Sequence, residues 1–157
     1  MITIYTDGSS KGNPGPGGCA AYLSYRNHIK ELSSAFETTT NNRMELMAVI
    51  LALEVITKKD HPVRLYTDSM YITNAIHKGW LQRWLKNNFK GKKNKDLWSR
   101  FWKLYQQHKK ITLHWVKGHA GNPLNERCND LAMQAAENGP WQKDHGYLAT
   151  QKSLSRQ

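Results

Sequence analysis

Hydrophobic and polar residues in the first part of the chain follow the pattern of a β-sheet. Residues 2–6 alternate strictly and predict a strand that ends at Asp7. After a connection rich in glycine and proline, residues 19–25 and 28–36 predict two more strands joined by a tight turn at 26–27. These strands are expected to form an antiparallel meander.

Residues 41–56 are apolar at nearly every position, which predicts a central helix buried on more than one side. Asn41 or Asn42 can serve as its N-cap. Glu45 falls in the first turn, where it either complements the helix dipole from an exposed position or is desolvated at the end of a core element. In the second case a cation or a metal must offset the cost of burying its charge.

The second half of the chain predicts strands and helices in alternation. Residues 63–67 predict a strand that ends at Asp68, and residues 69–85 predict a helix interrupted near Gly79. A basic loop over 86–95, a helix from a cap at Asp96 to about His108, a strand over 111–116 and a helix from Pro123 to about Glu137 follow. We therefore expect an α/β fold, a five-stranded mixed sheet flanked by helices. Residues 1–140 would form the domain, and 141–157 a polar, irregular tail.

The strand ends at residues 5–9 and 66–69 are alike, because both begin Tyr-Thr-Asp. In parallel strands they would place Asp7 and Asp68 at the same edge, where open α/β sheets carry their sites. A single aspartate at a strand end is most often a cap or turn residue, but two in matching contexts beside Glu45 favour a site. Three carboxylates without cysteine ligands suit Mg²⁺ or Mn²⁺ rather than zinc.

The charge of the chain indicates a polyanionic partner. The sequence has 157 residues, 39% of them hydrophobic, and 23 Lys+Arg against 12 Asp+Glu give a net charge of +11 and a pI near 9.7. The charge clusters in residues 80–95, here called the basic segment. It contains Arg83, Lys86, Lys90, Lys92, Lys93 and Lys95, interleaved with Trp80, Trp84 and Phe89. Such a surface can grip a nucleic-acid backbone, although a merely solvated basic face is the alternative. Trp98 and Phe101, by contrast, follow a helical stripe and indicate core positions.

Several classes of protein are disfavoured by what the sequence lacks. Cys19 and Cys128 have neither disulfide-framework nor zinc spacing, so both are expected to be free thiols. No apolar run approaches the roughly 20 residues that span a bilayer, and the first residues do not have the features of a signal peptide. A cytoplasmic location is the default expectation.

An ordered series of sequence blocks resembles bacterial ribonuclease H of the type 1 class. The blocks, between residue 2 and about residue 137, are Thr6-Asp7-Gly8-Ser9, Gly12-Asn13-Pro14-Gly15-Pro16-Gly17-Gly18, Thr39-Thr40-Asn41-Asn42-Arg43-Met44-Glu45-Leu46, Thr67-Asp68-Ser69, Asp96-Leu97-Trp98, Trp115-Val116-Lys117-Gly118-His119-Ala120-Gly121 and Asn125-Glu126-Arg127. The resemblance implies endonucleolytic hydrolysis of the RNA strand of an RNA–DNA hybrid, giving 5′-phosphate and 3′-hydroxyl ends. It also implies a monomeric enzyme with no membrane association and no obligate protein partner.

The resemblance further implies a role for each matching residue. Two Mg²⁺ ions, or Mn²⁺, would be bridged by Asp7, with Glu45 and Asp68 completing one site and a carboxylate of the last helix the other. His119 would assist proton movement or product exit. The substrate contacts would be Asn13, Thr40, Asn41 and Asn42 at the minor groove and a DNA phosphate, and Trp80, Trp84, Phe89, Lys90, Lys92 and Lys93 along the DNA strand.

Two positions depart from the family pattern. Met70 stands where the family has a glutamine, so a minor-groove amide is replaced by a thioether that cannot donate a hydrogen bond. Asn129 aligns with the fourth metal carboxylate. Asp130 beside it would point away, since one residue is about 100° of helix rotation, unless the helix begins late. Reduced activity or a greater need for metal is expected. A non-cleaving module that binds hybrids is the alternative, and a nuclease domain derived from a retroelement is a weaker one.

Overall fold

The computed structural model describes residues 1–155, which form a mixed sheet with helices packed on it. The strands are β1 (Ile2–Ser10), β2 (Gly15–Tyr25), β3 (His28–Thr39), β4 (Val63–Thr67), β5 (Ile111–Trp115) and β6 (Trp141–Gln142), in the spatial order β5-β4-β1-β2-β3-β6. The meander β1–β2–β3 is antiparallel, whereas β4 pairs parallel with β1 and β5, and β6 pairs parallel with β3. The predicted α/β class and mixed sheet are confirmed, with the short β6 as a strand beyond the five expected.

The helices are α1 (Asn41–Glu54), α2 (Met70–His77), α3 (Trp80–Lys86), α4 (Lys95–Gln107), α5 (Pro123–Asn138) and α6 (His145–Ser155). The helices α1 to α5 occur in the predicted order, and α6 lies in the segment that was predicted to be irregular. The predicted interruption near Gly79 separates α2 from α3, and Gly79 has the positive φ of 71° that favours glycine. Within residues 1–155, no helix is long and apolar enough to cross a membrane.

Helix α1 is the buried centre of the fold. Its side chains from Arg43 to Ile50 are buried without interruption, so the prediction of a helix covered on several sides is confirmed. The N-cap is Thr40 rather than Asn41 or Asn42, because Thr40 is extended and its Oγ1 accepts a hydrogen bond from the Arg43 N–H at 3.3 Å. Glu45 is therefore the fifth helical residue and lies beyond the first turn.

Two glycines let helices approach opposite faces of the sheet. A Cβ on Gly8 would lie 2.2 Å from the carbonyl carbon of Met44, and a Cβ on Gly18 would lie 2.1 Å from the carbonyl oxygen of Ala132. Gly8 pairs with Cys19, the neighbour of Gly18, and adjacent strand residues point to opposite faces. The backbones of α1 and α5 thus contact the sheet closely from its two sides.

Three local predictions are corrected by long-range contacts. β1 continues past Asp7 to Ser10, because Asp7 and the following residues pair with β2. Asp96 does not cap α4; Asn94 precedes the helix, and the Asp96 carboxylate pairs with Arg43 instead. Phe89 is 5% exposed and packs in the core beside Trp84, together with the expected core residues Trp98 and Phe101.

The C-terminal residues are structured, contrary to the predicted irregular tail. β6 extends the sheet at β3, and α6 follows it. Asp144, between them, is only 4% exposed and forms a buried ion pair with Arg43. Composition did not reveal this docking, because it depends on long-range contacts, namely the pairing of β6 with β3 and the buried ion pair with the start of α1. Residues 156 and 157 of the predicted tail lie outside the described residues.

Candidate active site

The sheet and α1 bring three carboxylates together. Parallel pairing of β1 with β4 sets Tyr5 opposite Tyr66, so Asp7 and Asp68 lie at the same edge, as the matching strand ends predict. Gly8 allows α1 to approach β1, which places Glu45 beside them. One oxygen from each of the three carboxylates lies within 4.8 Å of the others, and we call this group the carboxylate cluster.

Burial gives the carboxylate cluster an unfavourable charge in the absence of a cation. Asp7 is 2% and Glu45 6% exposed. Burial, with the negative charge of Asp68, raises the pKa of Asp7 to about 6, although a hydrogen bond from Asn129 opposes the shift. Burial, with the charges of Asp7 and Asp68, raises the pKa of Glu45 well above its ordinary value. A bound cation would offset the cost of ionising these buried carboxyl groups.

The donor set fits a hard divalent cation. Glu45 Oε2 is buried and accepts no hydrogen bond within the described part of the chain, although a buried carboxylate oxygen normally has a partner. The surrounding ligand atoms are carboxylate oxygens, which Mg²⁺ and Mn²⁺ prefer. The residues present therefore suit the metal that the sequence predicts.

Two amides from α5 hold the aspartates of the carboxylate cluster. Asn129 Nδ2 donates to Asp7 Oδ2 at 2.9 Å, and Asn125 Nδ2 donates to Asp68 Oδ2 at 3.2 Å. These residues are four apart and so share one face of the helix, whereas Asp130 is exposed. The structure thus brings Asn129, and not Asp130, to the carboxylates. Asn125 was missed as a site residue; its only signal was membership of the Asn-Glu-Arg block.

The loop between β5 and α5 packs against Asp68. A Cβ on Gly118 would lie 2.8 Å from Asp68 Oδ2, so this position leaves little room for a side chain. Trp115 Nε1 donates to the backbone oxygen of Asp68 at 3.2 Å. His119 directly follows Gly118, is exposed and has a φ of 55°. The loop therefore carries His119 at the rim of the carboxylate cluster, without burying it.

Comparison with known proteins identifies the family. The family model described as RNase H matches residues 1–137. The chain belongs to the RNase H family. The ribonuclease H of Desulforamulus reducens is 52% identical over 141 residues, which cover 87% of this chain and 87% of that protein. The resemblance on which the sequence interpretation rests is thereby confirmed.

Solved structures with RNase H folds resemble this chain. LC9-RNase H1, described as a type 1 RNase H with the type 2 active-site motif, has a TM-score of 0.78 at 31% identity, over 87% of this chain and 72% of that one. LC11-RNase H1, solved in complex with an RNA/DNA hybrid, has a TM-score of 0.67 at 24% identity, over 87% of this chain and 97% of that one. The second likeness concerns the fold alone.

In this RNase H-family chain, the residues expected at the minor groove gather at the start of α1. Asn13 Oδ1 accepts a hydrogen bond from the Asn41 N–H at 3.0 Å, which ties the glycine-rich β1–β2 connection to the helix. Thr40 caps the same helix, and Asn42 is exposed beside it. Polar groups of these residues thus lie around the start of the helix that also carries Glu45.

The basic segment forms α3 and the following loop. Lys90, Lys92 and Lys93 are exposed, and the Lys92 Nζ lies 5.8 Å from the centre of the Trp84 ring. Trp80 and Trp84 are half-buried and in contact with each other. Phe89 differs from the expectation, because its ring is enclosed in the core and cannot present a face to substrate. The two tryptophans and the lysines remain candidates for substrate contact.

Proposed function

We propose that this protein hydrolyses the RNA strand of RNA–DNA hybrids endonucleolytically, in a metal-dependent reaction that leaves 5′-phosphate and 3′-hydroxyl ends. The observation that carries the proposal is the buried carboxylate cluster with an unpartnered oxygen on Glu45, in a member of the RNase H family with a net charge of +11. A protein that only bound hybrids would gain nothing from clustered carboxylates, since they repel phosphates.

Asp7, Glu45 and Asp68, with Asn129, would hold the metal. Two bound Mg²⁺ ions would generate the attacking hydroxide and stabilise the leaving oxygen. Asn125 keeps the Asp68 carboxylate in place through its hydrogen bond, and the Gly118 backbone closes the space beside that carboxylate. His119, exposed on its loop, is available to exchange protons with solvent.

Recognition of a hybrid would divide between two surfaces. Asn13, Thr40, Asn41 and Asn42 would meet the shallow minor groove, where 2′-hydroxyls distinguish RNA from DNA. The lysines of the basic segment would contact phosphates of the DNA strand. This substrate class is proposed from membership of the RNase H family, whose model matches residues 1–137.

A labelled hybrid, incubated with and without Mg²⁺ and separated on a denaturing gel, tests the proposal. We expect RNA fragments only with the metal, and none from the corresponding DNA duplex. Binding without cleavage over a range of Mg²⁺ and Mn²⁺ concentrations would support the non-cleaving module that Asn129 leaves open.

Asn129→Asp should reduce the metal requirement. The change replaces a donor to Asp7 with a fourth carboxylate, so it adds repulsion without metal and a charged ligand with it. We expect the Mg²⁺ concentration for half-maximal cleavage to fall by roughly 3- to 10-fold, and thermal stability in EDTA at pH 8 to decrease. Titrating the cleavage rate against Mg²⁺ and measuring Tm in EDTA check both parts.

Asp130→Ala is the matched control for residue 129. Asp130 is its neighbour on α5 but is exposed, so its loss should leave the Mg²⁺ titration unchanged. Loss of activity in Asp130→Ala, together with an unchanged curve for Asn129→Asp, would assign the fourth ligand to residue 130 instead.

Changing Lys90, Lys92, Lys93 and Lys95 together to Ala should raise KM and flatten its salt dependence, with little effect on kcat. Each phosphate contact contributes roughly 0.9 to the slope of log affinity against log salt on duplexes. The matched control removes Lys30, Lys58, Lys109 and Lys110, which are exposed near the opposite end of the sheet. Equal salt slopes for the two variants would show that the basic segment is only a solvated face.

We also propose that the protein acts as a monomer in the cytoplasm. Cys19 and Cys128 are buried free thiols, as the sequence predicts, and this suits a reducing compartment. Light scattering over a range of protein concentrations tests the oligomeric state, and we expect the 18.1 kDa mass of one chain throughout.

A further inference from the structure

Arg43 is a buried cation whose ionic network joins buried Asp144 and the more exposed Asp96 next to the proposed substrate-binding turn. Its side chain is 3% exposed, although it lies between Asn42 and the residues that lead to Glu45. Nε and Nη2 donate to Asp144 Oδ2 and Oδ1 at 2.7 and 2.8 Å. Nη1 and Nη2 donate to Asp96 Oδ1 and Oδ2 at 2.8 and 2.7 Å. One guanidinium thus makes a two-bond contact with each of two carboxylates, a geometry that lysine cannot reproduce.

Asp144 extends the network into the C-terminal residues. Its Oδ2 also accepts a hydrogen bond from Thr39 Oγ1 at 2.7 Å, and its Oδ1 accepts one from the Tyr147 N–H at 3.2 Å. Thr39 ends β3 immediately before the cap Thr40. The segment from β6 to α6 is therefore fastened to both sides of the turn that begins α1.

Asn94 extends the network into the basic segment. Arg43 Nη1 also donates to Asn94 Oδ1 at 3.3 Å, and Asn94 Nδ2 donates to the Tyr71 hydroxyl at 3.1 Å. Asn94 belongs to the loop that ends the basic segment, and Tyr71 lies in α2, which follows Asp68. The buried Arg43 guanidinium thus joins the C-terminal end of the basic segment to the start of α1.

We infer that Arg43 is a positioning residue that sets the substrate-binding turn at residues 40–42 and the basic segment in the relative placement that one hybrid duplex requires. The C-terminal segment contributes to this placement through Asp144, which binds the Arg43 guanidinium and Thr39. The inference rests on the proposed function, since it concerns how that substrate is bound. The side-chain hydrogen bonds of Arg43 go to Asp144, Asp96 and Asn94, and its side chain is 3% exposed. Its effect on substrate binding would therefore pass through Asn41, Asn42 and the lysines.

Asp144→Asn gives a test in which electrostatics and positioning predict opposite results. The change removes a negative charge from a protein of net charge +11, so electrostatics alone predicts equal or tighter binding of a polyanionic hybrid. Positioning predicts weaker binding, because the guanidinium loses a charged partner and the turn loosens. We expect KM to rise roughly 10-fold and kcat to change by less than about 2-fold.

Glu54→Gln is the matched control. Like Asp144→Asn, it removes one negative charge from the protein. It also breaks a contact between α1 and α4, the ion pair of Glu54 with Arg100 at 2.6 Å, but this contact is at the exposed far end of α1. We expect its KM to be equal to or below that of the unmodified protein. Ile56→Ala, in the core beyond that end of α1, should lower Tm without raising KM, which separates positioning from stability.

Arg43→Lys keeps the charge and removes the fork. We expect Arg43→Lys to have a raised KM, as Asp144→Asn does. If only the charge of residue 43 mattered, its KM would equal that of the unmodified protein.

All variants are assayed well below their Tm, and binding of an intact labelled hybrid is also measured in EDTA by fluorescence anisotropy. Weaker binding by Asp144→Asn and Arg43→Lys, but not by the two controls, supports the inference even if the unmodified protein does not cleave. Unchanged or tighter binding by Asp144→Asn, or an equal loss in Ile56→Ala, overturns it.

Discussion

Asp7→Asn or Asp68→Asn abolishes hybrid cleavage, with an expected loss of at least roughly 10³-fold in kcat, because both remove a charged ligand from the proposed metal site. Hybrid binding is expected to stay within about 3-fold, since phosphate and minor-groove contacts come from other residues. Single-turnover cleavage at millimolar Mg²⁺, beside anisotropy with uncleaved hybrid, measures the two effects separately. Turnover at the original level in either variant would refute the assignment of the carboxylate cluster.

The same Asp7→Asn change should stabilise the metal-free protein at high pH. The pKa of Asp7 in the folded protein, about 6, is above its ordinary value of 3.8. The folded protein therefore favours the protonated Asp7 carboxyl. The stability that this preference contributes is complete below the unfolded-state pKa and is lost as pH rises through about 6. The amide does not ionise, so the variant escapes that loss.

Thermal unfolding in EDTA at two pH values measures this effect. We expect Tm of Asp7→Asn to exceed that of the unmodified protein by a few degrees at pH 8, on the scale of about 1 kcal/mol per 2–4 °C for a chain of this size. The difference should be smaller at pH 5, which lies between the unfolded-state and folded-state pKa values of Asp7. Saturating Mg²⁺ should reduce the difference at pH 8, because the metal favours the ionised carboxylate. A lower Tm for the variant at pH 8 in EDTA would contradict the repulsion inferred from burial.

His119→Ala should lower kcat by roughly 10- to 100-fold and leave KM near its original value, at or below the usual range of general acid–base catalysis. The reason is the position of His119 on the loop that packs against Asp68, in the residue after Gly118. Steady-state kinetics separate the two parameters. His28→Ala is the matched control, because His28 is exposed at the start of β3, away from the carboxylate cluster.

Added imidazole tests the chemical role of His119. If the side chain moves protons, imidazole should restore part of the activity of His119→Ala and none to Asp7→Asn. Turnover of His119→Ala equal to that of the unmodified protein would leave His119 as an ordinary surface residue.

The sequence by itself determined the elements from β1 to α5 and the most informative carboxylates. Strand alternation, the apolar run of α1 and the repeated Tyr-Thr-Asp depend on neighbours only a few residues away, so the chain displays them directly. Parallel pairing of β1 with β4 then follows from the fold class, and the structure confirms that it aligns Asp7 with Asp68. The family blocks pointed to Glu45, His119 and Asn129 as well.

Only the tertiary structure decided how these residues are supported. Asn129 is 122 residues from Asp7, and Arg43 is 101 residues from Asp144. No periodicity within an element specifies such pairs, because they form where packed helices and strands bring side chains together. For the same reason, the sequence did not reveal that Phe89 is enclosed in the core. Local patterns fix which face of an element is apolar, but burial, hydrogen-bond partners and the docking of the C-terminal residues depend on what the whole chain packs against that face.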